Sequence, residues 1–153
     1  MNAEKKSILI VEDDEATIKS FKDILQSEGY SVDTAETGRE AIQKSKAQFY
    51  NLVLLDIKLP DMEGTKLLTT MHETSPKMVK IMITGYPSLE NAVEALNMGA
   101  DAYVMKPVKP EKLLALIEEK LKKQSQAEKM TEEKVVDWVK TRASKIGSED
   151  NQK

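Results

Sequence analysis

A chain of 153 residues, of which 40% are apolar and 32% charged, has the length and composition of one globular domain with a short appendage. Its net charge of −3 argues against binding to nucleic acid or an anionic membrane through overall charge. The absence of cysteine excludes disulfides, thiol catalysis and cysteine-ligated metals. No apolar run approaches the ~20 residues of a membrane span, and the N-terminus is too acidic for a signal peptide. We therefore expect a cytoplasmic protein.

Apolar runs alternate with amphipathic stretches between residues 6 and 123, which is typical of βαβ units around a parallel sheet. The first run, Ile8 to Val11, is apolar throughout, as expected for a strand covered by helices on both faces. Four further runs predict strands at 30–35, 52–55, 80–83 and 102–105. Helical periodicity predicts five helices, at 15–28, 39–47, after Gly64, at 88–97 and from Pro110 to about 123.

The segment 124–153 differs in character from the rest of the chain. It starts with a polar stretch around Ser125, which we interpret as a linker. Thr131 is then a suitable N-cap for a short amphipathic helix that carries Val135, Trp138 and Val139 on one face. The segment is too short for an ordinary DNA-binding output domain. It can be a docking or dimerisation helix, a helix packed on its own domain, or an overhang from a longer protein.

Polar side chains follow the apolar runs where the predicted strands end. The first run is followed by Glu12-Asp13-Asp14, the third by Asp56, the fourth by Thr84 and the fifth by Lys106-Pro107. Because the carboxyl ends of parallel strands meet at one edge of a sheet, we expect these side chains to form one site. Clustered carboxylates need a cation, and a set of oxygen donors without His or Cys suits Mg²⁺. A carboxylate can attack phosphorus, and a metal, a hydroxyl and an ammonium supply the charge neutralisation that phosphoryl transfer requires.

Four motifs occur in order at these strand ends. They are Ile-Leu-Ile-Val-Glu-Asp-Asp at 8–14, Leu-Leu-Asp-Ile-Lys-Leu-Pro-Asp-Met-Glu-Gly at 54–64, Ile-Thr-Gly-Tyr at 83–86 and Tyr-Val-Met-Lys-Pro at 103–107. Because it carries these four motifs in this order, the chain resembles the receiver domain of two-component response regulators. The resemblance implies a receiver domain over residues 1–123, with the linker and short helix at 124–153. It also implies a flavodoxin-like, doubly wound α/β fold, with a five-stranded parallel sheet of order 2-1-3-4-5 and helices on both faces.

The resemblance further implies a phosphoacceptor and a set of metal ligands. Asp56 would accept the phosphoryl group and bind Mg²⁺ together with Asp13. Glu12 would reach the ion through water, and the backbone carbonyl of Lys58 would be a further ligand. Many family members have Asp at the position of Glu12, and Asp14 is a third acid, so the acidic pair could lie one residue further along. We favour Glu12 and Asp13, because the first helix then has no insertion relative to the family pattern.

The other implied residues belong to the last two strands. Thr84 and Lys106 would hold phosphoryl oxygens, and Lys106–Pro107 would be a cis peptide bond, which is uncommon even before proline. Thr84 and Tyr103 would form a switch, in which Tyr103 turns inward once Thr84 moves toward the phosphoryl group.

The implied function is that of a response regulator. A sensor histidine kinase or a phosphotransfer protein would phosphorylate Asp56, and the change would alter a surface that binds an output protein. The chain would not be an enzyme in the ordinary sense, although it would catalyse its own Mg²⁺-dependent phosphoryl uptake and hydrolysis. Neither direct nucleic-acid binding nor membrane binding is implied. A homodimer through the fourth helix and fifth strand, or through the C-terminal helix, is an open alternative.

Three other functions compete with this one. A phosphatase or phosphotransferase with an Asp nucleophile typically carries a second acid at the position that Lys58 occupies here. A nucleotide or flavin binder of this fold class needs a glycine-rich phosphate loop, which the sequence lacks. A docking module that no longer takes phosphate would not need the complete residue set that this chain has.

Overall fold

The computed structural model describes residues 5–85 and 87–150, with side chains described as far as residue 143. Strands and helices alternate in the order β1 Ser7–Val11, α1 Glu15–Ser27, β2 Ser31–Ala35, α2 Gly38–Ala47, β3 Leu52–Asp56, α3 Gly64–Thr74, β4 Val79–Thr84, α4 Leu89–Asn97, β5 Ala102–Met105 and α5 Pro110–Asp150. All strand pairs are parallel, and the strand order is β2-β1-β3-β4-β5. The predicted α/β class and strand order are therefore confirmed. Tyr86, the last residue of the third motif, lies outside the described residues.

Two hydrophobic clusters, one on each face of the sheet, hold the helices in place. Successive side chains of a strand point to opposite faces, so Leu9 and Val11 join one cluster while Ile8 and Ile10 join the other. The first cluster includes residues of α2, α3 and α4, and the second includes residues of α1 and α5. The central strands are thus covered on both sides, which explains why they read as continuous apolar runs in the sequence.

Helix α5 does not end where the sequence predicts. The stretch 124–130, which we interpreted as a polar linker, is helical, and α5 continues to Asp150. The physical reason is that this stretch contains no Gly or Pro and consists largely of Lys, Gln, Ala and Glu, which are good helix formers. The chain nevertheless divides into two compact units, Met1–Leu121 and Lys122–Lys153. No helix among the described residues is both long enough and apolar enough to cross a membrane.

A polar cluster joins the edge strand β2 to α2 and to the residues before β3. The buried Tyr50 donates its hydroxyl hydrogen to Asp33 at 2.6 Å, and the Lys44 ammonium lies 3.5 Å from the same carboxylate. The hydroxyl bond holds the pKa of the Asp33 carboxyl below its usual range. Burial, together with the charge of Asp33, raises the pKa of Tyr50. The cluster therefore attaches β2 to the domain through a hydrogen bond to an ionised acceptor.

Replacing Tyr50 by Phe should lower the free energy of unfolding by about 1 kcal/mol at neutral pH. This loss of unfolding free energy is smaller than that usual for a hydrogen bond to a charged group. The reason is that the Asp33 side chain is 42% exposed, so solvent screens part of the interaction. Since the bond depresses the folded-state pKa of Asp33, its contribution is complete above the unfolded pKa of about 3.9 and is lost as the pH falls through the lower folded value. Urea unfolding of both proteins at pH 7 and in acid measures this difference.

Tyr103→Phe is the matched control for this experiment. The Tyr103 hydroxyl is buried and has no hydrogen-bond partner among the residues that the structure describes. Its removal should leave stability unchanged or slightly raised, because no hydrogen bond is lost and a desolvated polar group disappears. Equal destabilisation by the two substitutions would contradict the role assigned to Tyr50.

Candidate functional site

Three acids meet at the carboxyl edge of the sheet. Strand β1 leads into Glu12 and Asp13, and the neighbouring strand β3 ends at Asp56. The register places Val11 opposite Leu55, so the residues that follow reach the same edge. One carboxylate oxygen from each of the three acids lies within 4.8 Å of the other two. The structure thus brings together the carboxylates that the sequence predicts as metal ligands.

The three carboxylates differ in their exposure to solvent. Glu12 is 4% exposed and Asp56 is 8% exposed, whereas Asp13 lies at the surface. Burial raises the pKa of the Glu12 carboxyl, and the neighbouring Asp56 contributes in the same direction. Two buried carboxylates that lie this close together remain ionised only if a cation accompanies them.

Lys106 supplies such a cation. Its Nζ donates to Glu12 at 2.8 Å and to Asp56 at 3.1 Å. Burial alone would lower the pKa of the ammonium, but the hydrogen bonds to Glu12 and Asp56 outweigh burial and raise this pKa. The Lys106 backbone N–H donates to the Thr84 carbonyl at 2.8 Å, and the Lys106–Pro107 peptide bond is cis, the isomer that the resemblance implies.

Thr84 and Tyr103 lie on the strands next to this cluster. Thr84 ends β4, is completely buried and is paired with Met105 of β5. Tyr103 packs against the hydrophobic cluster that contains α3 and α4. Its hydroxyl is buried without a hydrogen-bond partner in the described part of the chain. A desolvated hydroxyl without a partner is energetically unfavourable, so the inward position of Tyr103 is stabilised by ring packing and not by its polar atom.

Asp14, the third acid of the first motif, has a different role. Its carboxylate accepts hydrogen bonds from the Thr17 backbone N–H at 2.9 Å and from the Thr17 hydroxyl at 2.5 Å. These bonds lower the pKa of Asp14 and satisfy a backbone donor at the start of α1. Within the described residues, the acidic cluster consists of Glu12, Asp13 and Asp56. The cluster contains Glu12 and Asp13, the pair that we favoured from the sequence, and their binding of Mg²⁺ stays a prediction.

The loop between β3 and α3 is held by contacts that the sequence analysis missed. Gly64 N–H donates to the Ile57 carbonyl at 2.6 Å, and a Cβ at Gly64 would lie only 2.1 Å from the Asp56 carbonyl oxygen. Asp61 accepts from the N–H groups of Gly38 and Arg39 at 2.8 and 3.0 Å, at the start of α2. Glycine at position 64 is thus a steric requirement. Nothing in the local sequence signals the contact of Asp61, since its partners lie more than twenty residues earlier in the chain.

The donor set of this site suits a hard divalent cation. Every side-chain donor in the cluster is a carboxylate oxygen, and Mg²⁺ prefers one or two carboxylates together with water and phosphate oxygens. Lys58, whose carbonyl was predicted as a ligand, follows Asp56 by two residues, and its backbone N–H donates to Asp56 at 3.3 Å. An anion that enters beside Asp56 would meet positive charge from Lys106, so the site can accept both a metal and a phosphoryl group.

Comparison with curated proteins finds the same family. The family model described as the response regulator receiver domain matches residues 8–118. The cell cycle response regulator CtrA of Brucella ovis is 36% identical over 110 residues, which cover 72% of this chain and 47% of that protein. The chain therefore spans about half the length of the curated relatives that it matches.

Solved structures with the same fold include close relatives in sequence. A CheY-like response regulator receiver domain protein from Methanospirillum hungatei JF-1 is 56% identical, with a TM-score of 0.80, and the match covers 81% of this chain and 99% of that one. The beryllofluoride-activated NtrC4 receiver domain dimer is 37% identical, with a TM-score of 0.74, and the match covers 77% and 98% of the two chains. The family match, the sheet order and the acidic edge agree, and the chain belongs to the response-regulator receiver family of two-component signalling.

Proposed function

We propose that Asp56 accepts a phosphoryl group from a sensor histidine kinase or a phosphotransfer protein, and that its phosphorylation switches a protein-interaction surface. The observation that carries this proposal is the convergence of three acids and one lysine at a single sheet edge. Asp56, like Glu12, takes part in both the carboxylate cluster and the ion pair with Lys106. It also ends a buried strand, so its carboxylate has a defined position.

Each residue of the site has a part in the proposed reaction. A carboxylate oxygen of Asp56 attacks phosphorus, a new P–O bond forms, and the bond between phosphorus and the donor's imidazole nitrogen breaks. The Lys106 ammonium and the Thr84 hydroxyl stabilise charge on the phosphoryl oxygens. Glu12, Asp13 and Asp56 would hold Mg²⁺, which when bound neutralises phosphoryl charge. Attack by water on phosphorus later releases phosphate and returns the Asp56 carboxylate.

The surface proposed to respond is formed by α4 and β5. Leu89, Val93 and Leu96 on α4 and Met105 on β5 are large apolar side chains that remain exposed, with Leu89 at 83%. Large apolar side chains that are exposed together mark protein–protein interaction sites. Met105 is paired with Thr84 across β4 and β5, so a movement of Thr84 toward a phosphoryl group is transmitted directly to this patch. The output partner would bind there, and a homodimer through this face is the alternative use.

Asp56→Asn should abolish phosphorylation by acetyl phosphate in the presence of Mg²⁺, because an amide cannot form the acyl phosphate. Intact-mass spectrometry should find one phosphoryl group per wild-type chain and none on the variant. Asp137→Asn, which removes an exposed carboxylate outside the cluster, is the matched control and should be phosphorylated normally. Release of many phosphates per chain without a Mg²⁺-dependent adduct would contradict the proposal and favour a phosphatase.

Asp13→Asn should weaken Mg²⁺ binding roughly tenfold or more, because a metal site that relies on few carboxylates loses one of them. Asp14→Asn is the adjacent control: asparagine is an equally good N-cap, so α1 and the metal affinity should both be unaffected. Calorimetric titration with Mg²⁺ measures both variants. A loss of affinity on Asp14→Asn alone would move the acidic pair one residue along the chain.

Thr84→Ala should separate phosphorylation from the response of the α4–β5 surface. The variant should still form a beryllofluoride adduct at Asp56, but it should lose the amide NMR shifts that the wild type shows along α4 and β5, because no hydroxyl is present to move toward the adduct. Thr84→Ser retains the hydroxyl and should restore these shifts. Full shifts in Thr84→Ala would rule out Thr84 as the link between the adduct and the surface.

A further inference from the structure

The second unit of the chain carries an apolar surface that the proposed phosphorylation mechanism does not use. Every residue of α5 from 126 to 143 is exposed. Five large apolar side chains are among them and are between 48% and 60% exposed: Met130, Val135, Val136, Trp138 and Val139. In proteins most of the stability of a helix comes from packing of an amphipathic face and not from helix propensity. A packing partner for this part of α5 is therefore expected.

One stripe of this helix has the spacing of a helix-pairing seam. Residues 128, 132, 135, 139 and 142 follow one another at intervals of four and three, which keeps them on one face as the a and d positions of successive heptads do. In order they are Glu128, Glu132, Val135, Val139 and Arg142. The stripe is thus acidic at its beginning, apolar at its centre and basic at its end.

We propose that this stripe pairs with the same stripe of a second copy of the chain, in antiparallel orientation. Parallel pairing would place Glu132 opposite Glu132 and Arg142 opposite Arg142, and like charges in contact are destabilising. Antiparallel pairing centred at residue 137 places Glu132 opposite Arg142 of the second copy and Val135 opposite its Val139. The contact is self-complementary, as two-fold symmetry requires. The charge order along the stripe therefore favours a second copy of the chain as the partner and an antiparallel orientation of the two helices.

Trp138 and Arg142 support this arrangement. The Arg142 guanidinium lies over the Trp138 ring, 5.0 Å from its centroid, which holds the arginine one helical turn from the centre of the contact. A guanidinium has five N–H donors, so stacking on the ring leaves donors for the Glu132 carboxylate of the second copy. Trp138 flanks the seam one residue from its midpoint, so two copies would bring their tryptophans close together and remove them from water.

The dimer should be weak and depend on concentration. The stripe from 128 to 142 spans about four helical turns, and such a contact buries less than the roughly 1,600 Å² of a standard protein interface. Sedimentation velocity of the full, unphosphorylated chain from micromolar to millimolar concentration should show a monomer–dimer equilibrium. Trp138 is the single tryptophan of the chain, so its fluorescence emission should shift to shorter wavelength over the same range.

Charge reversal tests the direction of pairing. Glu132→Arg and Arg142→Glu should each weaken the dimer by about tenfold, because each creates two like-charge contacts in an antiparallel pair. The double variant Glu132→Arg/Arg142→Glu should recover the affinity, since residue 132 again faces the opposite charge at 142. Glu133→Arg, a reversal on the opposite face of the helix, is the matched control and should change nothing.

Three results would overturn the proposal. They are a protein that stays monomeric throughout the concentration range, a dimer whose tryptophan emission does not shift, and a double variant that fails to recover. The first points to a heterologous partner for this helix, the second to a dimer through another surface, and the third to a contact in which residues 132 and 142 do not face each other. The inference does not depend on the proposed phosphorylation, because Asp56→Asn should dimerise as the wild type does.

Discussion

Two buried carboxylates, those of Glu12 and Asp56, share the ammonium of Lys106 at 2.8 and 3.1 Å. The three residues belong to the ends of three different strands, β1, β3 and β5, and more than ninety positions separate Glu12 from Lys106. Only a parallel sheet with β1 beside β3, and β5 on the far side of β4, brings these groups together. The ion pair therefore depends on the complete strand order. The site in turn depends on the pair, because without the lysine the two acids would repel each other in a poorly solvated position.

The same arrangement suits the proposed binding of a metal ion and a phosphoryl group. Lys106 balances part of the negative charge of the cluster, and the exposed Asp13 leaves one carboxylate accessible to solvent. Glu12 is held as an acceptor both by Lys106 and by the Asp14 backbone N–H at 3.2 Å. The proposed metal ion would balance the negative charge that Lys106 leaves uncompensated.

The loop after Asp56 is fixed from two directions. Close backbone packing at Gly64 holds its end against β3, and the carboxylate of Asp61 holds its middle against the start of α2. At the opposite side of the site, the backbone bond between Lys106 and Thr84 joins β5 to β4. Asp56 thus lies between this loop and one pair of strands, and the strand pair leads to the exposed apolar residues of α4 and β5. In the second unit, α5 carries an exposed stripe with an apolar centre and its own charge order.

The sequence by itself determined the strands and helices, apart from the end of the last helix, and it predicted which polar residues meet at one edge of the sheet. Periods of two and 3.6 residues, together with polar residues at strand ends, are local signals, and they predicted five strands, five helices and the sheet edge at which the acids and Lys106 meet. The resemblance of four motifs added the strand order. The predicted end of α5 was wrong, because a polar stretch does not interrupt a helix unless it contains Gly or Pro. Only the tertiary structure decided that Asp14 caps α1 while Asp13 joins the cluster, that Asp61 binds the start of α2, and that the Tyr103 hydroxyl is buried without a partner in the described chain. These facts depend on contacts between residues distant in the chain or on which way a side chain turns, and local sequence patterns carry no information about either.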